Sequence, residues 1–301
     1  MAKFYNLPIP FLRTFTNGVI KSVVDTSDYF TLVTSFSDVP ATSILSLFFL
    51  GLMRIAPIVS IAPFLGAKLP LPVKMGLTIA LSAIVLPYLI TTVGRPAPSF
   101  DMMFAIYSLK EFFLGFVIAF LVTIPFQIMQ ASGILIDFLR GSSALMVTDP
   151  LMQNQVSPIG VLYNYIFVVL FYQIEGPFIF LQGLLNSYSL IPIDGFISSS
   201  FFITTGPFWK AIFSLLTKFT ALAIQLASPS ILAILMAEMF LGIANRLAAQ
   251  VQIAFLGMAL KSLLGLALLW AGWFFILKQV AKQSLLWLTT LDQLIHSIPR
   301  G

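Results

Sequence analysis

The sequence predicts an all-α, polytopic membrane protein built from about six long, proline-kinked hydrophobic helices. Three observations carry that prediction. Of 301 residues, 59% are hydrophobic and only 9% charged, with a mean hydropathy of +1.00, whereas soluble domains carry about 25% charged residues. The stretches 75–94, 112–136, 150–174, 219–237 and 262–277 contain no Asp, Glu, Lys or Arg. Most reach or approach the ~20 residues needed to cross a hydrocarbon core, and the last is somewhat short. The sequence also lacks the alternating segments of about ten residues that mark a transmembrane barrel.

Residues 1–43 read as an N-terminal extension. Lys3, Arg13, Lys21, Asp25, Asp28 and Asp38 are scattered through it, so it has no apolar core of a cleavable signal peptide. The first hydrophobic segment is expected to serve as its own insertion signal. Six apolar segments follow, at 44–62, 71–93, 112–136, 159–185, 211–243 and 253–277. The fifth is long enough for two half-helices meeting near Pro229. The connection 187–206 reads as a loop or a short amphipathic piece, 44–280 as a single helical membrane domain, and 281–301 as a tail.

Six spans would put both termini on one side, and the basic residues flanking the segments favour the cytoplasm for that side. Prolines recur at Pro57, Pro63, Pro87, Pro125, Pro177 and Pro229. Each removes a backbone donor and bends a helix, and the freed carbonyls need partners that lipid cannot supply. The pattern predicts bent helices packed against protein rather than facing lipid all round. The small-residue pairs Gly76/Ala80, Gly115/Ala119 and Ala267/Ala271 are suited to close helix packing.

Composition excludes several chemistries. The chain has no cysteine and one histidine, His296 in the tail, so disulfides, thiolate nucleophiles and histidine-based metal or triad sites are not expected. The net charge of +5 comes mainly from residues flanking the segments, a mark of membrane topology rather than nucleic-acid binding. No cofactor is implied, and no phosphate-binding loop is present in the sequence.

The charges inside apolar runs carry more information, because one at mid-bilayer costs about 2.5–3.5 kcal/mol on the insertion scale. Arg54, Lys110 and Lys218 read as snorkelling from helix ends. Glu238, Asn245, Arg246, Gln250 and Lys261 recur between apolar neighbours, and Arg246 and Gln250 stand one helical turn apart. They read either as a turn between two spans or as a polar surface that contacts protein or lines water. Asp137 and Arg140 stand at i,i+3 and neutralise one another if their helix continues. The loop that follows includes Gly141, Ser142, Ser143, Met146, Asp149, Pro150 and Met152. It is too polar for lipid and too sparsely charged for an ordinary solvent loop. One reading makes it the closure of a conduit, with flexible methionines as adaptable contacts; the other makes it an exposed turn.

At these residues the sequence resembles the FliR/SctT family, the export-gate subunit of type III secretion systems. The blocks that carry the resemblance are RIAPIVSIAPFLGAKLPLPVK (54–74, ending at Lys74), KEFFLGF (110–116, containing Glu111), ASGILIDFLRGSSALMVTDP (131–150) and LASPSILAILMAEMFLGIANRLAAQVQIAFLGMALKSLLGL (226–266). They stand in family order. In the last block, Ala249, Gln252 and Ala259 occupy positions where the family commonly has proline, asparagine and proline. The resemblance implies a non-enzymatic channel subunit of the bacterial inner membrane. Its implied partners are SctR/FliP-like, SctS/FliQ-like and SctU/FlhB-like subunits and, transiently, unfolded export substrates. It also implies that the loop 141–158 faces the pore and helps to plug it. The N-terminal extension and the altered closing block lean towards a virulence-type system rather than a flagellum. The alternative is a secondary transporter of a small solute, using Glu238, Arg246 and Asp137; the absence of an internal repeat in the sequence weighs against it.

Overall fold

The computed structural model describes residues 40–66, 69–92, 100–141, 157–196, 206–247 and 253–271, with positions 274, 276 and 278. Among them every regular element is helical: α1 (Ala41–Ile61), a 3-10 turn (Pro63–Leu65), α2 (Leu71–Thr92), α3 (Met102–Leu139), α4 (Pro158–Gln173), α5 (Gly176–Leu190), α6 (Pro207–Leu247) and α7 (Ile253–Ala271). The all-α membrane class therefore stands.

The span count is lower among the described residues: Ala41–Ile61, Leu71–Thr92, Met102–Leu139 and Ile212–Ala244 are long and apolar enough to cross a membrane, four candidates, or five if α4 and α5 form one bent span. Part of the difference from six lies in the fourth apolar segment, which is broken. Its halves of 16 and 15 residues measure roughly 24 and 22 Å at 1.5 Å per residue, each short of a ~30 Å core. They meet at a bend of 75°. The break sits at Glu175, whose φ of 58° is left-handed and uncommon outside glycine. Gly176 follows, with the Phe171 ring 2.6 Å from where a Cβ would stand, and Pro177 then occupies the first turn of α5, where its missing donor costs nothing.

The fifth segment corrects a second expectation. It is not divided at Pro229, which lies inside the continuous 41-residue α6. Pro57, Pro87 and Pro125 likewise lie inside α1, α2 and α3. The 38-residue α3 begins ten positions before the predicted start at 112, because the charges at 110 and 111 that seemed to bound it are neutralised within the fold. At 1.5 Å per residue α3 and α6 are roughly 57 and 62 Å long, about twice a hydrocarbon core.

Helix α3 is the hub, packing on α1, α4 and α6, while α2 packs on α1 and α7 on α6. The tightest crossings occur where a side chain is missing. A Cβ on Gly115 would stand 2.1 Å from the Arg54 carbonyl oxygen, and one on Gly133 would stand 2.5 Å from the backbone of Gly160. These contacts bring α1 and α4 onto α3 nearly backbone to backbone. Of the small-residue pairs, Gly115/Ala119 is at a contact, whereas Gly76/Ala80 and Ala267/Ala271 face outward. Between the crossings, Phe64 of the 3-10 turn packs against Phe171 and Phe180 at centroid distances of 4.9 and 5.3 Å, and Phe126 meets Phe167 at 4.7 Å. The Tyr172 hydroxyl donates to the Phe64 carbonyl at 2.7 Å, fixing the turn to α4.

Candidate functional site: three charge clusters within the helical core

The first cluster joins α1, α3 and the end of α5. Arg54 and Glu111 are both fully buried. The guanidinium donates to the carboxylate from Nε at 2.5 Å and from Nη2 at 2.9 Å, the bidentate geometry that makes Arg–carboxylate pairs strong. Its remaining donors reach the Ser187 hydroxyl and the Ile191 carbonyl, both at 3.0 Å, and its plane lies 3.9 Å from the centroid of the Tyr188 ring. Lys110, one residue before Glu111, contacts the same carboxylate at 2.9 Å. Its ammonium also donates to the carbonyls of Pro192, Ile193 and Gly195 at 2.8, 2.9 and 2.8 Å. Two cations thus meet the C-terminal end of α5, where orphan carbonyls concentrate partial negative charge. Neither Arg54 nor Lys110 snorkels. Both are held inward, because the acceptors that their long side chains would seek in water are present in the core. Lys218 is exposed, in keeping with a side chain that reaches for solvent.

The second cluster links the end of α3 to the start of α4. Asp137 Oδ1 lies 2.8 Å from Arg140 Nη2, so the predicted i,i+3 pair exists. Its Oδ2 accepts from the Ser157 hydroxyl at 2.5 Å and from the Ile159 backbone N–H at 2.9 Å. Ser157 in turn caps α4, accepting from the Gly160 N–H at 3.0 Å. One carboxylate therefore satisfies an orphan donor of α4 and neutralises a cation of α3. Gly141, immediately after Arg140, has a φ of +85°, a conformation that glycine adopts without steric cost and that turns the chain out of α3. The remaining loop candidates, Ser142, Ser143, Met146, Asp149, Pro150 and Met152, lie outside the described residues.

The third cluster bridges α6 and α7, where Lys261 Nζ pairs with Glu238 Oε1. This accounts for a lysine that a simple turn between two segments did not explain. The Glu238 side chain remains about half exposed (47%). Arg246, in the last turn of α6, is exposed and suits the negative end of the helix dipole. Asn245 lies in α6, and Gln250 lies outside the described residues. Lys74 donates to the Ser60 carbonyl at 3.4 Å, tying the start of α2 to the end of α1.

The structure therefore brings together Arg54 and Glu111, Asp137 and Arg140, and Glu238 and Lys261, and leaves Arg246 apart from them. The sequence reasoning missed Ser187, Tyr188 and the carbonyls of 191–195 as partners. Only the charge of Arg54 inside an apolar run hinted that a partner was needed.

Comparison with known proteins finds relatives along most of the chain. A model of the bacterial export proteins, family 1, matches residues 45–285. The chain is 27% identical over 249 residues to the Yop proteins translocation protein T of Yersinia pestis, covering 82% of this chain and 91% of that protein. It is 29% identical over 215 residues to the surface presentation of antigens protein SpaR of Shigella flexneri, covering 71% and 79%. It is 25% identical over 230 residues to the flagellar biosynthetic protein FliR of Escherichia coli, covering 75% and 83%. With the family model matching from within α1 to beyond α7, most of the chain's length, the chain belongs to the bacterial export proteins, family 1.

Proposed function

We propose that the chain is a non-enzymatic subunit of a type III export gate in the bacterial inner membrane. There it would form, with SctR/FliP-like and SctS/FliQ-like subunits and near a SctU/FlhB-like protein, the channel for unfolded secreted polypeptides. The observation that carries this reading is the alignment, along most of the chain, with relatives named for protein translocation and flagellar biosynthesis. The charge clusters support it against a solute transporter. Asp137 is engaged by Arg140, Ser157 and Ile159, and Glu238 by Lys261, while Arg246 stands exposed. Of the groups that would have to converge on a solute, Asp137 and Glu238 are held by separate structural partners and Arg246 stands apart from both.

Purification tests the reading. Expressed alone and extracted in detergent, the chain is expected to aggregate; co-expressed with the two partner types, it is expected to elute as one stable complex. A monodisperse chain that binds or transports a small solute on its own would favour the transporter instead.

Within this reading the loop after Gly141 helps to close the channel at rest, its methionines filling the lumen until cargo displaces them. Its ends leave from the Asp137 cluster, which ties the last turn of α3 to the first turn of α4. Deleting residues 142–147 is expected to leave assembly intact and to make the membrane leaky to ions. Normal secretion with unchanged leakage would remove the plug role.

A further inference from the structure

We propose that Lys110 is a latch for the turn 191–195, separable from the Arg54–Glu111 pair that binds α1 to α3. Tyr107, Lys110 and Glu111 lie at i, i+3 and i+4 on one face of α3, and the turn is laid along that face. Phe196 meets Tyr107 at a centroid distance of 5.2 Å. Three carbonyls of the turn, those of Pro192, Ile193 and Gly195, point at a single ammonium. The Gly195 N–H closes the turn on the Pro192 carbonyl at 3.1 Å, so the backbone is already shaped to present them. Asp194, on the same turn, adds a second anion to the local field of Lys110.

The two cations divide the work. The Arg54 fork covers both carboxylate oxygens of Glu111 and reaches only as far as Ile191. Beyond that residue, the backbone acceptors facing α3 depend on Lys110. Ile191 and Ile193 are buried, but apolar anchoring alone would leave the Ile193 and Gly195 carbonyls without the donor they share, the Pro192 carbonyl keeping only the Gly195 N–H, a loss that favours release of the turn to solvent. Lys110 thereby fixes the point from which the chain leaves α5 towards α6. The inference does not depend on the export reading.

The test uses the full chain in its native membrane, and the chain has no cysteine of its own to compete for label. Ile193→Cys, buried in the docked turn, reports release by its maleimide labelling rate. Ser132→Cys, buried near the C-terminal end of α3 and far along it from Lys110, reports general loosening. In a Lys110→Met background, labelling at 193 is expected to rise at least tenfold while position 132 stays protected. Hydrogen exchange on the chain carrying Lys110→Met alone should show the same contrast, faster over 191–196 and unchanged over 46–59. Unchanged labelling and exchange at the turn would mean that its apolar anchors suffice and would overturn the latch. Equal loosening at 132, or failure of Lys110→Met to fold, would overturn its separability from the core pair.

Discussion

Replacing Glu111 with Gln leaves the Arg54 guanidinium and the Lys110 ammonium close together without the carboxylate that both contact. Breaking one side of a buried ion pair costs about 3–5 kcal/mol, and that loss is expected in the unfolding of the Glu111→Gln chain, measured within its complex. A cost below about 1 kcal/mol would mean that water reaches the cluster. Asp137→Ala should cost about 1–3 kcal/mol, because it removes the acceptor of the Ile159 N–H and uncovers Arg140. Thermal melts of the complex would check it. These two sites were not equally legible in the sequence. The Asp137–Arg140 pair is local, and helical spacing alone brings it together. Arg54 and Glu111 stand 57 positions apart, so the sequence showed a charge in an apolar run at 54 and a Lys-Glu pair at 110 and 111 but not that Arg54 and Glu111 belonged to each other. The carbonyls that hold Lys110 have no sequence signature, since every residue carries one.

At the scale of elements, α3 is where the fold is decided, and two glycines set how closely its neighbours approach. Gly115→Ala would drive a methyl group to 2.1 Å from the Arg54 carbonyl oxygen. Backbone cannot yield as a flexible side chain can, so α1 must separate from α3 and strain the Arg54–Glu111 pair; we expect about 1–3 kcal/mol of destabilisation. Gly76 in α2 has nothing within 4 Å, so Gly76→Ala should be neutral or stabilising by up to about 1 kcal/mol from helix propensity. Melting temperatures of the two variants side by side provide the check. Apolar run length showed where most helices lie but misjudged their ends and number. Residues 110 and 111 looked like a boundary because pairing inside the fold is invisible to a hydropathy count. The bend at Glu175 was missed although Gly176-Pro177 is a breaker pair, because the apolar run continues across it. Pro229 was over-read: α6 continues through it.

For the whole molecule, the pattern of exposure matters more than the helix count. α3 is the most buried of the spanning helices and α2 the least, and large apolar side chains lie exposed along α6, among them Met236, Met239, Phe240 and Ile243. Glu238 sits half exposed in the same stretch. A surface that mixes such apolar side chains with the half-exposed Glu238–Lys261 pair is costly against acyl chains alone and is better matched by protein. That is the whole-molecule form of the proposed role: a chain completed by its neighbours in an assembly. The most direct test is to recover the tagged chain from the membranes of its own cells under native conditions and weigh the intact complex. The account predicts one copy of this chain together with several copies each of SctR/FliP-like and SctS/FliQ-like subunits. A lone chain, or a homo-oligomer carrying only lipid, would contradict it.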